Sequence, residues 1–352
     1  VVLSASEGSN AGEPLPVFRV ALTALDGTVL DRRQVSWEPR ESVQLTLAAI
    51  AREFDDLLAH ASAPLWGIGL SIPTPVALDT GRPMNPPGLG HWNGFDVRGW
   101  FSSRYDVGTW VDNDAHVRAL GSATLTGADD LLYVELGRGL SVGVVSQGRV
   151  QRGRTGSAGS IGHVTVDASA ERVCRCGRRG CLDALVAGWA IENEAITAQV
   201  EGRSQYLDSV LRADGQITVV TVGAGAREAD PACVQIVADC ATRVSAAAAM
   251  VATASEPAMV VIGGDLVRES ELFVEVFTRN LRVSAPPRLS ERLEVRVADP
   301  DDAEGAVGCT RLVVDDLLGT DFLEAWVPAG APGGIAAISA RAEQHRPDEL
   351  SA

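Results

Sequence analysis

Residues 160–183 read SIGHVTVDASAERVCRCGRRGCLD. Cys174, Cys176 and Cys181 crowd into eight positions downstream of His163. Three thiolates and one imidazole complete a tetrahedral zinc shell with no open position, which marks a structural rather than a catalytic ion. Gly177 and Gly180 let the backbone wrap the ion without steric cost. Arg175, Arg178 and Arg179 favour the thiolate forms by lowering their pKa. The competing reading is three unrelated buried or redox-active thiols. The C-x-C-x4-C spacing after Gly-His favours the metal, so His163, Cys174, Cys176 and Cys181 are the expected ligands of one structural zinc.

The other three cysteines, Cys233, Cys240 and Cys309, are scattered. That unevenness argues against a disulfide framework and for a reducing, cytoplasmic setting. At 352 residues the chain has room for two lobes. No run of 18 apolar residues and no leader-like start appear, so neither a membrane span nor a secretory signal is expected. A net charge of −16 opposes direct docking on nucleic acid, because phosphate neutralisation supplies most nonspecific affinity.

Upstream of the cysteines, VFRVALTALDGTVLDRRQVSW (17–37) alternates apolar and polar residues around Asp26-Gly27, a hairpin signature. Residues 41–61 carry Val43, Leu45, Leu47, Ile50, Phe54 and Leu58 at roughly helical spacing. WGIGLSIP (66–73) is a short buried strand ended by prolines. A Gly/Pro/Asn-rich loop over 76–95 is too long to be idle in a compact domain. TWVDND (109–114) is a second strand that runs into a helix from Ala115 to Ala123. LLYVELGRGLSVGVVSQGRV (131–150) reads as strand, glycine turn, strand and turn.

Downstream, ITVVTVGAGA (217–226) has the β-branched character of a strand, and a helix is expected over 229–254. AMVVIGGDL (258–266) is a buried strand stopping at two glycines, followed by helices over 268–283 and 303–318. The stretch after Leu318 has little pattern, and part of it is expected to be mobile. Strands alternating with helices predict an α/β protein with largely parallel central sheets. The expected division is an N-terminal lobe (1–115, completed by 303–318), a C-terminal lobe with the metal motif (116–302) and a tail (319–352).

SIGHVTVD and CRCGRRGCLD resemble the signature of the ROK family, which groups bacterial repressors and sugar kinases. MNPPGLGHWNGFDVRGWF, VDNDAHVRALGSA, LLYVELGRGLSVGVV and PAMVVIGGDL extend the resemblance, in the family's order, over about residues 17–318. The resemblance implies a duplicated actin-like ATPase (ribonuclease H-like) fold, with ligand in the cleft between two lobes.

Asn113-Asp114 ends a strand, where a carboxylate can accept the proton of a substrate hydroxyl during phosphoryl transfer. The same pair suits the N-cap of the helix that follows. The resemblance makes Asp114 the catalytic base of a kinase, or a sensing residue of a repressor, and has Asn113 contact the sugar. It also brings His163, Asp183 and Asn85 to the ligand; a solvent-facing acid is the alternative for Asp183. Asp183 stands where the family's kinases have a longer Glu, Ser160 replaces a sugar-binding Glu, and Gly88 replaces an Asn. A sugar site built on hydrogen bonds loses affinity when such groups go.

Three phosphate-binding turns are implied by the same resemblance. Glycines let backbone N–H groups approach phosphate oxygens closely. GRGLSVG (137–143) keeps Gly137, Gly139 and Gly143 but has Arg138 for Thr and Ser141 for Gly. Gly263-Gly264 matches the adenosine motif, although a plain strand-to-helix turn reads the same way. The first turn best fits SEGSN (6–10), where Ser6 replaces Asp and Asn10 replaces Thr. Loss of that Asp leaves the magnesium-linked phosphate poorly held and lowers phosphoryl transfer by orders of magnitude.

The sequence reading therefore favours the effector-binding and oligomerisation part of a ROK-type transcriptional regulator, sensing a sugar or sugar phosphate. DNA would be reached through a helix-turn-helix segment not contained in these residues. The alternatives are an ATP- and magnesium-dependent sugar kinase, glucokinase-like in its chemistry, and a scaffolding pseudoenzyme.

Overall fold

The computed structural model describes residues 1–8, 15–167, 172–299, 301 and 303–332. Two five-stranded sheets organise it. The first is built from β1 (Val2–Gly8), β2 (Val17–Thr23), β3 (Val29–Ser36), β4 (Gly67–Ile72) and β5 (Thr109–Asn113), in the spatial order β3-β2-β1-β4-β5. The second contains β6 (Leu131–Leu136), β7 (Leu140–Ser146), β8 (Arg149–Val150), β9 (Met259–Gly263) and β10 (Glu294–Val297), in the order β10-β9-β6-β7-β8.

In each sheet the first three strands form an antiparallel meander, and the fourth and fifth add in parallel on the other side of the first. The same winding twice is the duplicated actin-like ATPase architecture. Its repeat lies in strand order and direction, with no matching repeat of side chains.

Local chemistry explains the helices that clothe the sheets. In the first lobe, α1 (Val43–Ala59) starts at Ser42, whose side chain accepts from the Leu45 N–H, and buries Val43, Leu47, Ile50, Phe54 and Leu57. A second helix, α2 (Val97–Tyr105), is capped by Asp96. Between the sheets run α3 (Asp114–Thr126) and, from far along the chain, α12 (Ala303–Leu317). The second lobe adds α4 (Asp183–Val186), α5 (Gly188–Val200), α6 (Gln205–Asp214), α7 (Val219–Arg227), α8 (Pro231–Ser255), α9 (Asp265–Glu269), α10 (Glu271–Ser284) and α11 (Pro287–Ser290).

α8 is long and apolar enough to cross a membrane. Its Cys233, Val237, Cys240, Val244 and Ala248 nevertheless pack into the second lobe's core. Core packing, rather than lipid, accounts for its apolar character.

The contact between α3 and α12 joins the lobes. A Cβ placed at Gly308 would lie 1.9 Å from the Val117 carbonyl oxygen, and one at Gly121 would lie 1.9 Å from that of Glu304. Only glycine permits backbones this close. α12 also packs on the first sheet, where Cys309 and Val313 are buried and the Thr310 hydroxyl meets that of Thr23 at 2.6 Å.

Several expectations need correction. ITVVTVGAGA is no strand: α7 occupies Val219–Arg227 behind a capping box formed by Thr218 and Thr221. Its small residues win over β-propensity, since a Cβ at Gly225 would strike Cys233 and Tyr206. The helix expected over 268–283 is two helices, interrupted at Ser270, whose side chain accepts from the Phe273 N–H. Ser6 and Gly8 of SEGSN lie in β1, the central strand of the first sheet, which pairs with β2 and β4. Asn10 lies outside the described residues. Beyond Leu318 a further helix, α13 (Thr320–Trp326), packs on the first lobe, with Trp326 against Trp66 at 4.9 Å between ring centroids. The rest of the tail, residues 333–352, lies outside the described residues.

Candidate functional site

A cleft of about 340 Å3 opens between the lobes. Asn113 and Asp114 enter it from the first lobe, at the step from β5 into α3. The β6–β7 turn, Gly137-Arg138-Gly139, enters from the second, together with Ser160, His163 and Asp183.

Both readings of the Asn113-Asp114 pair hold in part. The Asn113 side chain accepts from the Ala115 N–H at 3.0 Å, so it caps α3 while lining the cleft. Asp114 is buried and accepts from the same N–H at 2.8 Å. Burial pushes its carboxyl above the ordinary carboxylate range, against the opposing pull of Arg118 and the Ala115 N–H. A carboxylate that holds its proton more tightly than usual is a better acceptor for a hydroxyl proton.

Asp112, two residues earlier in β5, behaves oppositely. Burial alone would raise its pKa, but Arg152 and His116 hold it well below the usual range. His116 Nδ1 meets Asp112 Oδ1 at 3.0 Å, and Arg152 Nε donates to Asp112 Oδ2. His116 Nε2 lies 2.9 Å from the Ala158 carbonyl oxygen. The network fixes the end of β5 to the segment that leads to Ser160 and His163. Sequence reading missed it. The i, i+4 spacing of Asp112 and His116 at a helix start was the only local signal, and Arg152 gave none.

The cysteine motif folds into a compact knuckle. His163 Nδ1 is 3.6 Å from Cys174 Sγ, and Cys176 Sγ is 3.7 Å from Cys181 Sγ. All four ligand atoms lie within 4.8 Å of one another. Around an ion with Zn–S bonds of about 2.3 Å and a Zn–N bond of about 2.0 Å, a regular tetrahedron has S–S edges of about 3.8 Å and S–N edges of about 3.5 Å. The group can hold a metal ion and its spacing fits zinc. His163 belongs to both this cluster and the cleft wall.

Burial pushes the Cys174 thiol up to about 12 and raises that of Cys181. Cys176 is lowered, because hydrogen bonds from the Arg178 backbone and guanidinium outweigh burial. Arg178 also donates to the His163 carbonyl oxygen at 2.7 Å. Of the three arginines expected to serve the thiolates, Arg175 turns away, its guanidinium 5.0 Å over the Trp189 ring.

Asp183 is buried rather than solvent-facing. It accepts from the Leu140 N–H at 2.9 Å and from Trp189 Nε1 at 3.2 Å, which ties the β6–β7 turn to α5. Asn85 does not join the cleft lining. It is exposed, with a left-handed φ of 43°, and its N–H donates to the Asn93 side chain at 2.7 Å. Gly137 and Gly139 line the cleft. Gly263 and Gly264 do not; Asp265 and Leu266 line it instead. A Cβ at Gly264 would lie 1.9 Å from the Leu136 carbonyl oxygen, so strand packing already requires this glycine.

The family model of ROK proteins matches residues 16–316. A glucokinase from Halalkalibacterium halodurans is 28% identical over 301 residues, covering 83% of this chain and 90% of that protein. A xylose repressor from Caldicellulosiruptor bescii is 26% identical over 260 residues, covering 72% of this chain and 64% of the repressor. Among solved structures, a ROK family transcriptional regulator homologous to the Escherichia coli MLC protein superposes with a TM-score of 0.74 at 23% identity. That match covers 92% of this chain and 81% of the regulator.

Proposed function

The chain belongs to the ROK family, and on that premise we propose that it is the sugar-sensing and oligomerisation part of a ROK-type transcriptional regulator acting in the cytoplasm. One zinc ion, held by His163, Cys174, Cys176 and Cys181, stiffens the cleft wall that His163 shares. DNA contact belongs to a segment outside these residues. The sugar side of the cleft retains Asn113, Asp114 and His163.

The observation that carries this reading is at the phosphate side. The carboxylate expected to hold magnesium is replaced by Ser6, which is buried within β1. Without that charge a transferring phosphoryl group loses its main electrostatic support.

A second reading, an ATP-dependent sugar kinase, has its own support. Asp114 is a buried carboxylate with a raised pKa in the cleft, as a general base requires. The likeness to the glucokinase spans most of both chains. ADP release measured over a panel of sugars, beside calorimetric titration with the same sugars, separates the two. Heat of binding without turnover is the expected result. Turnover that vanishes in Asp114→Asn establishes the kinase.

A further inference from the structure

Two guanidiniums, Arg138 and Arg175, line the cleft, and they are the only Lys or Arg side chains among its described lining residues. Neither has a hydrogen-bonded acceptor or a carboxylate at ion-pair distance among the described residues; Arg175 only stacks on Trp189. Two other interior guanidiniums are matched, Arg152 with Asp112 and Arg118 with Glu135.

The acids nearest the two guanidiniums do not neutralise them directly. Asp183 is held by the Leu140 N–H and the Trp189 indole, and Glu192 by the Val219 N–H. Arg138 and Arg175 line one and the same cleft. Two cations that share a cleft without a hydrogen-bonded acceptor are stabilised by an anion between them.

Their placement says where that anion belongs. Arg138 is the tip of the β6–β7 turn, between Gly137 and Gly139. Arg175 stems from the metal knuckle and passes the loop of the first lobe, its Cδ 3.8 Å from where a Gly88 Cβ would stand. The start of α5, at Gly188 and Trp189, lines the same space and has no side-chain cap. Asn113, Asp114 and His163 line the rest of the cleft.

We propose that the cleft takes an anionic sugar, with its oxyanion between Arg138 and Arg175 and its hydroxyls toward Asn113, Asp114 and His163. This rests on the sugar-sensing reading and narrows it to ligands bearing a phosphate ester or a carboxylate. Arg138 and Arg175 are specificity-determining residues in that assignment.

The test is calorimetric titration of the full chain with glucose, mannose, N-acetylglucosamine and xylose, each beside its phosphate ester, and with glucuronate and mannuronate. At least one anionic member should bind more tightly than its neutral parent by roughly tenfold or more, as for a charge-assisted contact. Phosphate esters and uronates form separate arms, so the tighter arm identifies the oxyanion. Arg138→Gln and Arg175→Gln should each collapse that ratio toward one, and salt should weaken the anionic ligand more than the neutral one. Because Arg175 lies between two cysteines, Arg138→Gln, on a turn of the other element, keeps the test independent of the knuckle.

Neutral sugars that bind as well as every anionic partner, or a ratio unmoved by both substitutions, overturn the anion assignment while leaving sugar sensing intact. No heat from any compound overturns the sensing reading and this one with it.

Discussion

Gly308→Ala tests how the two lobes are joined. The added Cβ would lie 1.9 Å from the Val117 carbonyl oxygen, 2.8 Å from its carbon and 2.9 Å from Val117 Cγ1. Ordinary contact begins near 3.4 Å, so α3 and α12 must part by about 1.5 Å. Overpacking of this kind costs about 1–3 kcal/mol. Alanine's better helix propensity returns up to about 1 kcal/mol, so the net loss should be about 1–2 kcal/mol. For a protein of this size that is a fall of roughly 1–3 °C in melting temperature. The assay is thermal unfolding by circular dichroism, with Gly90→Ala as the control, since a Cβ at Gly90 meets nothing within 4 Å. Gly121→Ala, 1.9 Å from the Glu304 carbonyl oxygen, should behave like Gly308→Ala. Equal melting temperatures for Gly308→Ala, Gly121→Ala and the control would refute the close helix contact as the joint between the lobes.

Elemental analysis should find one zinc per chain, and Cys176→Ser should lose it and destabilise the second lobe; stoichiometric protein free of metal without chelator treatment sinks the site. Arg152→Ala leaves Asp112 buried without its guanidinium, which should cost about 3–5 kcal/mol in denaturant unfolding; a loss under 1 kcal/mol means the network is not structural. Asp114 carries a sign that can be checked. Its folded pKa is raised, so its contribution to stability is present below the unfolded value near 3.8 and is lost as pH rises through the folded value. Asp114→Asn should therefore melt higher than the parent protein at pH 7, with the gain shrinking as pH falls toward 3.8; a lower melting temperature for the variant at pH 7 contradicts the burial argument.

What could be read from sequence was what local chemistry records. The clustering of His163 with the three cysteines, which could hold a metal, is written in residue type and spacing, and the β5–α3 junction in an Asn that both caps and faces the cleft. The 217–226 segment misled because valines and threonines favour strands locally, while the fit of Gly223 and Gly225 against Glu269 and Cys233 is a tertiary fact. β1 was hidden for a related reason: Ser4, Ala5 and Ser6 are small or polar, and their burial comes from neighbours on both sides. Asp112, His116 and Arg152 are brought together only by the fold, so nothing at position 152 announced its partner. Asn85 and Gly263-Gly264 were placed by family resemblance. In this chain a side-chain bond at Asn93 and the carbonyl of Leu136 account for two of them without a ligand.

The position of α12 has a consequence for biosynthesis. The first sheet is laid down early, yet the face that holds Ala5 and Thr23 is covered by Cys309 and Thr310, some 300 residues later. The second lobe has its own core and its strands lie close together in the chain apart from β9 and β10. On the ribosome, therefore, the earlier-made half waits with that face uncovered until α12 emerges, just after β10 completes the second sheet. Such a nascent chain keeps that face exposed until residue 317 has emerged. Synonymous changes that slow elongation between β5 and α12 would lengthen that exposure, and would lower soluble yield without altering a single side chain.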